Sequence, residues 1–131
     1  MRYVKDFFCY SAEPFVLPPE SAIEERITIR ADAAFEWDHT TATAIMDDDI
    51  SREIIYALPI ELMIIDGGSG RQLLDMPVRL ANLCKMRNPG PRMFLPRSTI
   101  ALRFKNPWAV LFSQIHFVMH GWKVFDLEPG A

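Results

Sequence analysis

An all-β domain, an antiparallel sandwich or barrel, is what this sequence predicts, and three observations carry the prediction. Ten prolines, at positions 14, 18, 19, 59, 77, 89, 91, 96, 107 and 129, leave few windows long enough for a helix. The stretches between them alternate apolar and polar residues with period 2. Turn-forming residues separate these stretches.

In chain order, ITIRADA at 27–33 alternates small or apolar with polar residues, as a half-buried strand does. Residues 60–65 send Ile60, Leu62 and Ile64 one way and Glu61, Met63 and Ile65 the other, a strand covered on both faces. Residues 98–105 give the cleanest alternation, Ile100, Leu102 and Phe104 against Thr99, Ala101, Arg103 and Lys105. Residues 110–119 are apolar on both parities and read as a core strand. Gly121 then permits a bend or bulge before a continuation over 122–125. The text DHTTATAIMDDDISREIIYA at 38–57 admits two readings. Either a short helix or ordered loop follows the three aspartates, or one strand ends over 40–44 and another begins over 51–57.

A chain of 131 residues fits one core. Half its residues are hydrophobic and 24% are charged, the composition of a folded, soluble domain. The net charge of −3 supplies no broad positive field, so nucleic acid is not an expected partner. No secretory leader is legible at the start, and the apolar runs fall far short of the ~20 residues a membrane helix needs. Cys9 and Cys84 have neither a disulfide framework nor zinc-ligand spacing and read as free thiols.

Residues 1–22 combine the aromatics Tyr3, Phe7, Phe8, Tyr10 and Phe15 with Pro14, Pro18 and Pro19. That is too apolar for a free tail and too proline-broken for one regular element. An extended arm is expected there, packed on its own domain or on a neighbouring subunit, ahead of a single domain over 23–131.

Chemistry-bearing motifs are few. Gly67, Gly68 and Gly70 in IIDGGSGRQLLD fit neither the phosphate-loop spacing nor the dinucleotide spacing, and Pro77 cuts short the helix either would need; a connecting turn is the reading. His116 and His120 have the i, i+4 spacing of a zinc-protease helix, but Phe117 stands where the catalytic glutamate belongs. On a strand the two would share one face, with His39 the remaining histidine of the chain. Asp47, Asp48 and Asp49 lack the alternating acids and central glycine of a calcium loop, and Ser69 and Ser113 lack a nucleophile elbow. Trp37, Trp108 and Trp122 offer either core anchors or a sugar-stacking platform. No catalytic grouping emerges, so a non-enzymatic protein with no cofactor or metal is expected.

The order of segments resembles small virion structural proteins of tailed bacteriophages. The resemblance is carried by PFVLPPES at 14–21, ITIRADAAFEW at 27–37, IELMIIDGGSGRQLLDMPVRLANL at 60–83, FLPRSTIALRFKNP at 94–107 and HGWKVF at 120–125. It spans most of residues 14–125, while the acidic stretch IMDDDISREI at 45–54 and the first 13 residues fall outside its pattern. The resemblance implies an antiparallel β-sandwich or jelly-roll-like subunit with an extended N-terminal arm. The implied role is cement or decoration on the capsid surface of a virion, made in the host cytoplasm and bridging major capsid subunits. A homo-oligomer, a trimer on the shell's symmetry axes, is the expected assembly. The expected contact residues are Tyr3, Phe7, Phe8, Tyr10 and Phe15 of the arm and Arg87, Arg92 and Arg97 of the basic loop. A head-to-tail connector or tail component is the alternative within the particle, and a carbohydrate-binding sandwich the alternative outside it.

Overall fold

The computed structural model describes residues 3–47, 52–55, 58–74 and 76–126. The proline-bounded runs form β1 (Tyr3–Ser11), β2 (Phe15–Leu17), β3 (Ala22–Thr28), β4 (Ala34–Asp47), β5 (Arg52–Ile55) and β6 (Glu61–Asp66). They continue with β7 (Arg71–Gln72), β8 (Val78–Arg79), β9 (Arg87–Phe94), β10 (Thr99–Lys105) and β11 (Leu111–Asp126), and a four-residue helix α1 (Leu80–Leu83) links β8 to β9.

Two antiparallel sheets face one another. Sheet A runs β1-β11-β4-β5, with β2 beside β1 on the edge of β11 and β9 beside β5 on the edge of β4. Sheet B runs β3-β10-β6-β7, with β8 also on β6. Counting β1 with β2 and β7 with β8 as single interrupted strands, and β5 as an excursion, sheet A has the order first-eighth-third-sixth and sheet B second-seventh-fourth-fifth. That is the jelly-roll arrangement, which closes two Greek keys into a sandwich. Within the acidic stretch at 45–54, β4 pairs with β5 antiparallel from Ile45↔Ile54 to Asp47↔Arg52; Asp48 and Asp49 lie outside the described residues.

One expectation changes. ITIRADA is not one strand: β3 ends at Thr28, residues 31 and 32 form a turn, and β4 starts at Ala34. Ile27 and Ile29 are buried on one side of this turn and Ala33 on the other. Residues 3–22, for which an extended arm on its own domain or on a neighbour is expected, lie on their own domain as extended strands and their connections. β1 pairs along its whole length with β11, from Tyr3↔Asp126 to Ser11↔Val118, and β2 pairs with the same strand through Leu17↔Phe112 and Phe15↔Ile115. The prolines fall between these strands, so they break the segment without expelling it from the sheet.

Period-2 counting misplaces half of β11. Phe112 and Phe117 are of opposite parity, yet both are fully buried. The register with β4 shifts between Ser113 and His116, and Gln114 has a φ of 47°. This bulge inserts one residue and turns Ile115, Phe117 and Met119 onto the face that Phe112 already occupies. A second shift, between His120 and Gly121, leaves Asp38 of β4 unmatched. Here a Cβ on residue 121 would collide with the Glu36 carbonyl oxygen, which explains the glycine.

Aromatic rings bind the sheets together: Phe15 and Phe117 of sheet A pack on Phe104 of sheet B, with centroids 4.8 and 5.5 Å away. Each buried phenylalanine contributes roughly 2 to 3 kcal/mol. Buried Asn106 ties the β2–β3 connection to the start of β11, donating to the Pro18 and Val110 carbonyls at 3.1 and 2.7 Å.

Candidate interaction surface

The outer face of sheet A gathers most of the side chains with chemistry. Strand register places Cys9, His120, His39 and Arg87 in one rung across β1, β11, β4 and β9. His120 Nδ1 lies 3.2 Å from Cys9 Sγ, and its Nε2 lies 2.8 Å from Thr41 Oγ1. One tautomer serves both contacts: the thiol donates to Nδ1 and Nε2–H donates to the hydroxyl. Burial pushes the Cys9 thiol up, while burial and then the nearby His39 charge push the His120 imidazole down. Both shifts favour the neutral thiol–imidazole hydrogen bond over a thiolate–imidazolium couple.

The His39 ring stacks on His120 at 4.5 Å with 1° between planes. Its Nδ1–H donates to Asp38 Oδ2 at 2.7 Å, and Arg87 Nε reaches the same oxygen at 2.9 Å. The bulge supplies this geometry by presenting Asp38 beside His39 on the outer side. Among the described residues, no group of three or more His, Cys, Asp or Glu side chains is arranged to hold a metal ion. His116 shares the outer face with His120 and is exposed, four residues away along the strand.

The next rung is Phe7, Trp122, Glu36 and Met93. Phe7 is 62% exposed, Met93 41% and Trp122 39%, and Phe7 meets Trp122 edge to face at 5.8 Å. Lys5 bridges to Glu36 at 2.6 Å across β11. The result is an exposed apolar strip bordered by ion pairs.

The expected contact residues separate into different places. Tyr3 begins β1. Phe7 stands on the outer face. Phe8 lies half-buried on the inner side, with Lys123 Nζ 4.2 Å and the Arg30 guanidinium 5.3 Å from its ring. Tyr10 and Phe15 are buried in the core, and the Tyr10 hydroxyl accepts the Arg30 backbone N–H at 3.0 Å. The basic segment is an edge strand, not a loop, until the turn that holds Arg97, whose φ is 68°. Arg87 belongs to the outer face, whereas Arg92 pairs with Trp37 and lines a small hollow with Leu73, Leu74 and Met86. The three arginines therefore form no single basic patch.

The glycine turn closes on itself. Asp66 accepts the Gly68 N–H at 2.9 Å and the Ser69 hydroxyl at 3.1 Å, and its carbonyl accepts the Gly70 N–H at 2.7 Å. Arg71 and Gln72 then pair back onto β6, which makes the segment a hairpin. A larger hollow of about 480 Å³ lies on the outer side of sheet B, lined by Met63, Met76, Pro77, Glu61, Arg103 and Lys105. Arg103 is held there by Glu24 at 3.1 Å, and this bond, with a second from Arg26, lowers the Glu24 carboxyl below its usual range.

Sequence reasoning missed the Cys9–His120–His39 rung because its members are separated by up to 111 positions. The period-2 placement of His120 and Trp122 on one face was the available signal. Compared with known protein families, curated proteins and solved structures, the chain matches none. No helix among the described residues is long and apolar enough to cross a membrane.

Proposed function

We propose that this chain is a non-enzymatic structural subunit of a tailed-bacteriophage particle, docking on major capsid subunits through the outer face of sheet A and acting as a homo-oligomer. The observation that carries the docking face is the exposed strip Phe7, Trp122 and Met93, set on a rigid sheet and flanked by Lys5–Glu36 and Asp38–Arg87. Large aromatics and methionine with a charged rim are the composition of protein interfaces. The placement in a phage particle comes from the resemblance of the segments, since a jelly roll hosts many functions and names none.

Sugar binding is less well supported. Phe7 and Trp122 meet at 83°, which offers no flat platform to a pyranose ring. Trp37 is buried, and Trp108 packs against Phe112, roughly 30 Å along β11 from Trp122. Mass spectrometry of purified particles tests the proposal: the chain should be present at a symmetric copy number, and particles lacking it should lose heat resistance. Its absence from particles, or unchanged resistance and assembly without it, would sink the reading. A ring of copies at the head–tail vertex would select the connector instead.

A further inference from the structure

β1 is an edge strand: among the described residues it pairs with β11 and with no strand on its other side. Open edges are templates for further pairing, and proteins usually guard them with prolines, bulges, very short strands or charged side chains, lysine above all. β9 carries Pro89 and Pro91, but the nine residues of β1 contain no proline and pair with β11 without a register shift, and their two charges are matched within the sheet, Lys5 by Glu36 and Asp6 opposite Lys123.

The orientation of its backbone follows from one bond. Ala12 N–H donates to the Phe117 carbonyl at 3.3 Å, one step beyond the pair Ser11↔Val118. In an antiparallel ladder, residues bonded to one neighbour recur at every second position. Residues 4, 6, 8 and 10 therefore direct N–H and C=O toward β11, and residues 5, 7 and 9 direct theirs to the open edge. The same odd residues carry their side chains to the outer face, where Phe7 is 62% exposed.

We propose that a second copy of this chain pairs here, β1 against β1, antiparallel about a two-fold axis at Phe7, joining two copies of sheet A into one continuous sheet. This gives the homo-oligomer of the preceding section a geometry, and it stands without the particle reading. Pleat matching allows only residues of like parity to face each other. A register centred on Lys5 or on Asp6 opposes like charges, and one centred on Phe8 or Cys9 shortens the overlap. Phe7 is the midpoint of Tyr3–Ser11, so the register centred there pairs the whole strand and forms about ten backbone hydrogen bonds.

In that register Phe7 faces Phe7 of the second copy, beside both Trp122 rings, and Lys5 faces Cys9. Asp6 faces Phe8 of the second copy, which brings its carboxylate toward the Arg30 guanidinium over that ring, beside Lys123, which pairs with Asp32 at 2.7 Å. Charge complementarity thus falls on the inner side and aromatic burial on the outer.

Sedimentation velocity of the full chain at micromolar concentration should find a dimer. Phe7→Lys should raise the dissociation constant at least about tenfold, because it opposes two lysines, with an unchanged far-ultraviolet dichroism spectrum. Under mild oxidation, Phe7→Cys in a Cys9→Ser background should cross-link to itself. Ser11→Cys in the same background should not, since position 11 faces Tyr3. A monomeric or trimeric native chain, a dimer indifferent to Phe7→Lys, or equal cross-linking at both positions would overturn the pairing. Presence of the chain in particles is a separate measurement, so the two ideas fail separately.

Discussion

His120 sits where three strands exchange side-chain contacts, and its folded-state affinity for a proton is below the ordinary value of 6.5. As pH falls the unfolded chain takes up this proton first, so the stabilisation is complete above 6.5 and drains away as pH drops through the depressed folded value. Urea midpoints measured from about pH 7.5 to about pH 5 should decline, and should decline less in His120→Asn. The glycine turn gives a second residue-scale test. A Cβ at Gly67 would run into the Thr99 carbonyl oxygen, one at Gly68 would lie 3.2 Å from the Ser98 Cβ, and Gly70 needs its φ of 74°. Gly67→Ala should therefore cost about 2 kcal/mol or more and Gly68→Ala under about 1 kcal/mol, ranked by thermal melts; equal costs would contradict the close approach at Gly67.

The element whose sequence pattern and structure diverge most is β11. Read as a flat strand, it puts Phe112 and Phe117 on opposite faces, yet the bulge at Gln114 buries both. Phe112→Ala and Phe117→Ala should each cost about 3 to 5 kcal/mol in chemical denaturation. A cost under about 1 kcal/mol for either would restore the flat strand. β10 was legible within a residue or so because one register buries Ile100, Leu102 and Phe104, and β6 was legible as a short apolar run covered on both faces, with Met63 buried opposite Leu62 and Ile64. β11 was legible as a strand but not in its facing, since a bulge leaves no signature in apolar residues that occupy both parities. β9 was misread because prolines mark loops and edge strands alike.

At the scale of the whole molecule, residues 3–17 supply one edge of sheet A, and Tyr10, Phe15 and Leu17 belong to the core. A chain lacking residues 1–17 should lose cooperative unfolding and bind hydrophobic dye. A detachable arm would leave the melting transition intact, so calorimetry of the truncated chain separates the two. The candidate surface is likewise a property of the whole: each rung draws one residue from β1, β11, β4 and β9. Of the contact residues expected from sequence, Phe7 and Arg87 reach the outer face, while Tyr10 and Phe15 were drawn inward because aromatic rings on a sheet edge are as useful to a core as to a partner.

By itself the sequence determined the all-β class, the positions of β6, β10 and β11, and the turn at 66–70, because period and turn chemistry are local quantities. Whether the strands formed a sandwich or a barrel, that the aromatic N-terminal segment pairs with β11, and that Cys9, His39 and His120 meet were decided by the tertiary structure. Those outcomes depend on strand order and register between segments far apart in the chain, which a one-dimensional pattern of apolar residues does not encode.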